Sequence, residues 1–110
     1  MLLFVYGTLK KGMRAHHLMD GAKFVQKLSI PGSLYNGGFP CLKLEGSTMV
    51  HGELYEVTDS KVIERLDRYE GHPDLFKRTE FHKTLDDTIQ VYVYQGSVEG
   101  RPLVAGGKWE

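Results

Sequence analysis

Apolar positions recur along the chain in short runs with two different periods. Leu2 to Tyr6 is an unbroken apolar and aromatic run closed by Gly7, which predicts a buried first strand entering a loop over Gly7 to Gly12. A short helix is predicted over Arg14 to Met19, ahead of Asp20-Gly21, and a strand over Lys23 to Ile30 that Pro31-Gly32 ends. Gly32 to Pro40 sets Gly32, Gly37, Gly38 and Pro40 around Tyr35 and Phe39 and reads as loop backbone running close to another group. Val50 to Val57 reads as a strand. The strongest helical pattern is Asp59 to Glu70: Asp59 or Ser60 can cap its start, Val62, Ile63, Leu66 and Tyr69 keep helical spacing, and Gly71 supplies a left-handed stop. Arg78 to Leu85 and Thr88 to Tyr94 are rich in Thr, Val, Tyr and Phe, and Asp86-Asp87 between them predicts an antiparallel hairpin. The tail from Gly96 is Gly-rich and weakly patterned. With no repeat or linker, these elements predict an α+β fold: a small mixed sheet, curved or barrel-like, with one main helix and a short second helix.

Composition narrows this further. The 110 residues, 41% hydrophobic and 25% charged, suit one domain over residues 1–110. Fourteen basic and fourteen acidic side chains give a formal net charge of zero, so no long-range field gathers nucleic acid or an anionic membrane, and neither is expected as a partner. The single cysteine, Cys41, cannot close an intramolecular disulfide and fits a reducing compartment. The apolar run at the amino terminus has no basic region before it, and no stretch approaches the ~20 apolar residues that span a bilayer, so a cytoplasmic location is expected.

Glu70 is the most informative residue for chemistry. Ile63, Leu66 and Glu70 are three and then four positions apart, so a carboxylate falls on the core side of the helix. It also sits in the last turn, where burial and the negative end of the helix dipole both favour its neutral form and raise its pKa toward the range useful for acid/base work near neutrality. The ordinary alternative is a glutamate that rotates to solvent at a frayed helix end. Tyr6-Gly7-Thr8-Leu9 follows a strand directly, and the glycine lets backbone N–H groups converge on an oxygen or carboxylate; the ordinary alternative is a plain turn, and the spacing is not that of a phosphate-binding loop. His16 and His17 are adjacent and face different ways, while His51, His72 and His82 show no ligand spacing, so no metal site is expected. Cys41 reads as a structural thiol. Tyr92 and Tyr94 share one face of a strand and read first as core packing, second as cavity lining. Lys10-Lys11 reads as a solvated loop.

Four landmarks stand in order: Val5-Tyr6-Gly7-Thr8-Leu9-Lys10-Lys11-Gly12, Gly52-Glu53-Leu54-Tyr55-Glu56-Val57, Leu66-Asp67-Arg68-Tyr69-Glu70-Gly71 and Val91-Tyr92-Val93-Tyr94. In order and spacing, over residues 2 to about 95, the chain resembles the gamma-glutamylcyclotransferase-like, or AIG2-like, family. The resemblance implies a small mixed β-barrel with flanking helices and a cavity at its mouth, with Glu70 as acid/base and Tyr6, Gly7, Thr8 and Leu9 as the substrate-holding loop. Phe76-Lys77-Arg78 stands where many members have an aromatic residue, any residue and an arginine; tyrosine is frequent at the first of these, and here it is Phe76. The implied reaction is attack of a γ-glutamyl α-amine on its own γ-carbonyl, giving 5-oxoproline and a free amine or amino acid. It needs a small-molecule γ-glutamyl substrate and no metal or organic cofactor. Two readings compete with it: a module of the same fold that binds a small molecule without turnover, and a nucleic-acid-binding barrel, which the neutral charge disfavours.

Overall fold

In the computed structural model, which describes residues 1–83 and 87–110, the chain runs β1 (Leu2–Val5), a 3₁₀ helix (His16–Met19), β2 (Lys23–Pro31), β3 (Ser33–Asn36), β4 (Pro40–Lys43), β5 (Met49–Glu56), α1 (Ser60–Glu70), β6 (Phe76–Lys83), β7 (Thr88–Tyr94) and a 3₁₀ turn (Ala105–Gly107). A five-stranded sheet has the order β2-β5-β1-β7-β6, and β3 and β4 form a separate two-stranded sheet. The fold is therefore α+β with a mixed sheet and one main helix, as the pattern predicts.

β1 occupies the middle of the sheet because both of its faces are apolar. It pairs antiparallel with β5, Phe4 facing Leu54, and parallel with β7, Phe4 facing Val91. Leu3 and Val5 enter a core with Val57, Val62, Leu66 and Tyr92, on the side of α1. Phe4 and Tyr6 enter a second core with Ile30, Leu34, Leu42, Val50 and Val91. A strand buried on both faces has no reason to alternate polar and apolar residues, which accounts for the unbroken run Leu2 to Tyr6.

α1 begins and ends as its sequence predicts. The Asp59 carboxylate accepts from the Lys61 N–H at 2.9 Å, and Gly71, at φ +66°, turns the chain out of the helix. Arg65 donates to the carbonyls of Leu18 and Asp20, fixing the helix to the segment after β1.

Three expectations are corrected. The helix over Arg14 to Met19 is a four-residue 3₁₀ turn. The loop over Gly32 to Pro40 contains β3 and the first residue of β4, paired from Ser33 against Lys43 to Asn36 against Pro40. Gly37 and Gly38 mark the turn between them, where the Gly38 N–H bonds the Asn36 side-chain oxygen at 2.9 Å. Tyr69 is 41% exposed and does not join the buried face of α1. The predicted hairpin is present as β6 and β7, which starts two residues early, at Phe76 paired with Tyr94. Thr84, Leu85 and Asp86, the end of the first predicted strand of this hairpin and half of its turn, lie outside the described residues. No helix among the described residues is long and apolar enough to cross a membrane.

Candidate active site

Where β1 ends, the chain leaves the sheet in a tight turn closed by the Lys10 N–H on the Gly7 carbonyl at 3.1 Å. Gly7 is required there by a close approach: a Cβ at this position would stand 2.5 Å from Pro40 Cγ. The glycine thus lets the loop lie against the start of β4, a reason different from the clear approach to a ligand that its sequence context suggests. Among the described residues, the N–H groups of Gly7, Thr8 and Leu9 find no protein acceptor. Three consecutive backbone donors are left free at the end of a buried strand, a costly arrangement unless water or a ligand takes them.

These residues line a cavity of about 270 Å³ together with Glu70, Phe39, Tyr69 and Tyr92. Tyr6, Gly7, Thr8, Leu9 and Glu70, all singled out from the sequence, therefore meet at one place. Glu70 has no hydrogen-bond or ion-pair partner among the described residues, and burial in the cavity wall pushes its carboxyl up to about 7.

Its neighbour one turn earlier is the opposite case. Asp67 accepts from Arg78 Nε at 3.0 Å, Arg78 Nη2 at 3.1 Å and the Tyr92 hydroxyl at 2.7 Å. Burial alone would raise the Asp67 carboxyl, but these hydrogen bonds outweigh it and hold the group below its ordinary range. Arg78 also donates to Gln90 at 2.7 Å, so α1 is fastened to both β6 and β7. The Tyr6 hydroxyl donates to the Tyr92 carbonyl at 2.6 Å, and burial, with the nearby Glu70 charge, pushes its pKa well up. The phenol of Tyr6 is thereby committed to the fold.

Several cavity residues carry no signal in the sequence. Tyr69 reads as part of an apolar helix face, yet its hydroxyl shares a hydrogen bond of 2.9 Å with Thr8 Oγ1, joining α1 to the loop after β1. Arg14, Phe39, Pro40 and Leu75 also line the cavity; the Gly-Phe-Pro sequence that leads into β4 was the available hint for two of them. Tyr92 belongs to both the core and the cavity wall, while Tyr94 packs against Phe39 and Phe76 with ring centroids 5.5 and 5.4 Å away. Lys10 is buried, not solvated: its Nζ donates to the Trp109 carbonyl at 2.7 Å. Cys41 is buried, and burial raises its thiol pKa, as suits a structural role. Among the described residues no three His, Cys, Asp or Glu side chains gather as metal ligands would.

The sequence pattern of the family described as gamma-glutamyl cyclotransferase, AIG2-like, matches residues 3–110. A gamma-glutamylcyclotransferase family protein, ytfP, of Citrobacter rodentium is 32% identical over 110 residues, covering 99% of this chain and 95% of that protein. The gamma-L-glutamyl-butirosin B gamma-glutamyl cyclotransferase of Niallia circulans is 44% identical over 86 residues, covering 71% of this chain and 54% of that protein. The solution structure of Escherichia coli ytfP superimposes with a TM-score of 0.74 at 33% identity, covering 99% of this chain and 96% of that one.

Proposed function

The chain belongs to the gamma-glutamyl cyclotransferase, AIG2-like, family, and from that membership we propose that it converts a γ-glutamyl amide to 5-oxoproline and a free amine or amino acid. The observation that carries the reading is the meeting of Glu70, unpaired and raised to about 7 by burial, with the free N–H groups of Gly7, Thr8 and Leu9 in one cavity.

The nucleophile comes with the substrate. Ionised Glu70 takes a proton from the α-ammonium, and the freed amine attacks the γ-carbonyl carbon, forming the ring C–N bond. The amide C–N bond then breaks as Glu70 returns the proton to the departing nitrogen, and the second proton shed by the ring nitrogen is taken up by the released amine, which leaves as its ammonium. A single carboxylate titrating near neutrality can act as base and then as acid, and general acid/base catalysis of this kind is worth about 10²–10⁴ in rate. The free amides of the Gly7 to Leu9 turn hold either the α-carboxylate or the oxygen that gains charge at the γ-carbonyl, and either contact bends the glutamyl chain toward attack. Tyr6 contributes by shape and by anchoring the turn to β7. The buried thiol of Cys41 agrees with a cytoplasmic setting.

The test is release of 5-oxoproline from a panel of γ-glutamyl amino acids and γ-glutamyl amines by wild type and Glu70→Gln in parallel. Turnover by wild type and its loss in the variant are expected. Absence of product from every substrate would leave the site as a binding module, and full turnover by the variant would remove Glu70 from the chemistry.

A further inference from the structure

The cavity lining carries two charged side chains among the described residues, Glu70 and Arg14, and the second has no role in the reaction as derived. Arg14 is placed by backbone, not by chance of side-chain reach. The Met13 N–H bonds the Lys10 carbonyl at 3.0 Å, and the Ala15 N–H bonds the Thr8 carbonyl at 3.0 Å. These turns hold the residues flanking Arg14 against the loop that follows β1, whose residues Gly7, Thr8 and Leu9 line the same cavity.

Its guanidinium is uncommitted. Arg65, Arg78 and Arg101 donate to carbonyl or carboxylate oxygens of the fold, whereas Arg14 is exposed and makes no hydrogen bond or ion pair among the described residues. Nor is it felt at Glu70, where burial is the cause of the raised pKa and no cation offsets it. The two charges are therefore not a pair, and they address different parts of a ligand.

The other solvent-exposed side chains of the cavity lining include two with large apolar surfaces. Tyr69 and Leu75 both line the cavity, yet are 41% and 47% exposed. If the glutamyl half lies inward against Gly7 to Leu9 and Glu70, the other half of the amide leaves through this mouth. An amine half that satisfies the mouth has an apolar body for Tyr69 and Leu75 and an anion for Arg14. An α-amino acid with an apolar side chain has both, and its carboxylate is two bonds from the nitrogen that Glu70 protonates. A simple alkylamine leaves Arg14 unused, and a polyamine sets cation against cation.

We propose that Arg14 binds a carboxylate on the amine half, so that the substrates favoured at this site are γ-glutamyl derivatives of apolar α-amino acids. The inference rests on the cyclotransferase reading above and adds to it a specificity-determining residue and a substrate class.

The experiment compares kcat/KM for 5-oxoproline release from γ-L-glutamyl-L-leucine and γ-L-glutamyl-L-leucinamide, which differ in the carboxylate alone, in wild type, Arg14→Gln and Arg14→Lys. The free acid is expected to be favoured by wild type about fivefold to tenfold, the range for a charge-assisted contact that stays partly hydrated. Arg14→Gln should bring the ratio to about one, mainly through KM, and Arg14→Lys should restore part of it. A wild-type ratio of one, a ratio that survives Arg14→Gln, or an equal loss on both compounds would overturn the assignment, the last by placing the guanidinium on the glutamyl half. Should neither compound be turned over, calorimetric Kd values for the same pair decide it. Preference for the acid that disappears in Arg14→Gln upholds the subsite, with the cyclotransferase reading decided separately by the substrate panel, and equal Kd values overturn the subsite.

Discussion

Asp67 and Glu70 stand one turn apart on α1 and have been given opposite surroundings: Asp67 accepts three hydrogen bonds from Arg78 and Tyr92, while Glu70 has none and faces a cavity. The first is held below its ordinary pKa and the second is raised to about 7. Two carboxylates with separated pKa values take separate roles. Asp67 fastens the helix to the sheet, and Glu70 is left free to exchange a proton.

Replacing Glu70 by Gln separates activity from stability. Release of 5-oxoproline should fall by about 10² or more. Stability should rise, because an ionised Glu70 is disfavoured in the folded chain. Between the ordinary value of 4.5 and about 7 the folded protein binds more protons than the unfolded one, so wild-type stability declines as pH rises through that window. Urea titrations should show the variant gaining over wild type with rising pH, levelling above pH 7 at no more than about 3 kcal/mol, with no gain below pH 4.5. A variant less stable at every pH would contradict the assigned burial.

The same group shapes the rate profile. On the proposed mechanism the reaction starts from ionised Glu70, so kcat/KM should lose activity on the acid side with an apparent pKa of about 7. A limb near the ordinary carboxylate value would mean that the burial is relieved in solution.

Tyr92→Phe removes one donor from Asp67 and should cost about 1–2 kcal/mol at neutral pH. Since the folded pKa of Asp67 is depressed, the stabilisation it provides is present above its ordinary value of 3.8 and is lost as pH falls through the folded value. The gap between variant and wild type, followed by thermal unfolding, should therefore narrow in acid. An unchanged gap would point to lost packing of the ring edge instead.

Gly7→Ala forces a methyl group to within 2.5 Å of Pro40 Cγ unless the loop shifts. The expected cost is about 1–3 kcal/mol of stability, together with a rise in KM for a γ-glutamyl substrate as the free amides move. Wild-type KM in a folded Gly7→Ala protein would show that the turn tolerates displacement.

Much of this arrangement is legible without coordinates where local chemistry decides the outcome. α1 is fixed by Asp59, its apolar spacing and Gly71, and β1 by a run that only a doubly buried strand can bear. The β3 and β4 pair is not legible, since its four-residue strands sit among glycines and are held by packing against residues distant in sequence, Leu34 and Leu42 with Phe4, Val50 and Val91. Glu70 stands out because a carboxylate on an apolar helix face is an anomaly. Arg14 and Tyr69 do not, because a charged residue in a loop and an aromatic residue at helical spacing are both unremarkable until the fold brings them to one cavity with Thr8.

Thr8 and Tyr69 are 61 positions apart, and their single hydrogen bond is the side-chain link recorded between the loop after β1 and the end of α1 at the cavity. On the proposed mechanism, recognition and proton transfer are housed on two elements that share a core through Leu9, Ala15, Val62 and Leu66 but are joined at the cavity by this one side-chain bond. By the same mechanism, substitutions along residues 8 to 14 should retune which amine is accepted while α1, held by Arg78 through Asp67, keeps Glu70 in register. On that reading, such a scaffold lets new substrates be acquired by drift in one loop without disturbing the residue that moves the proton.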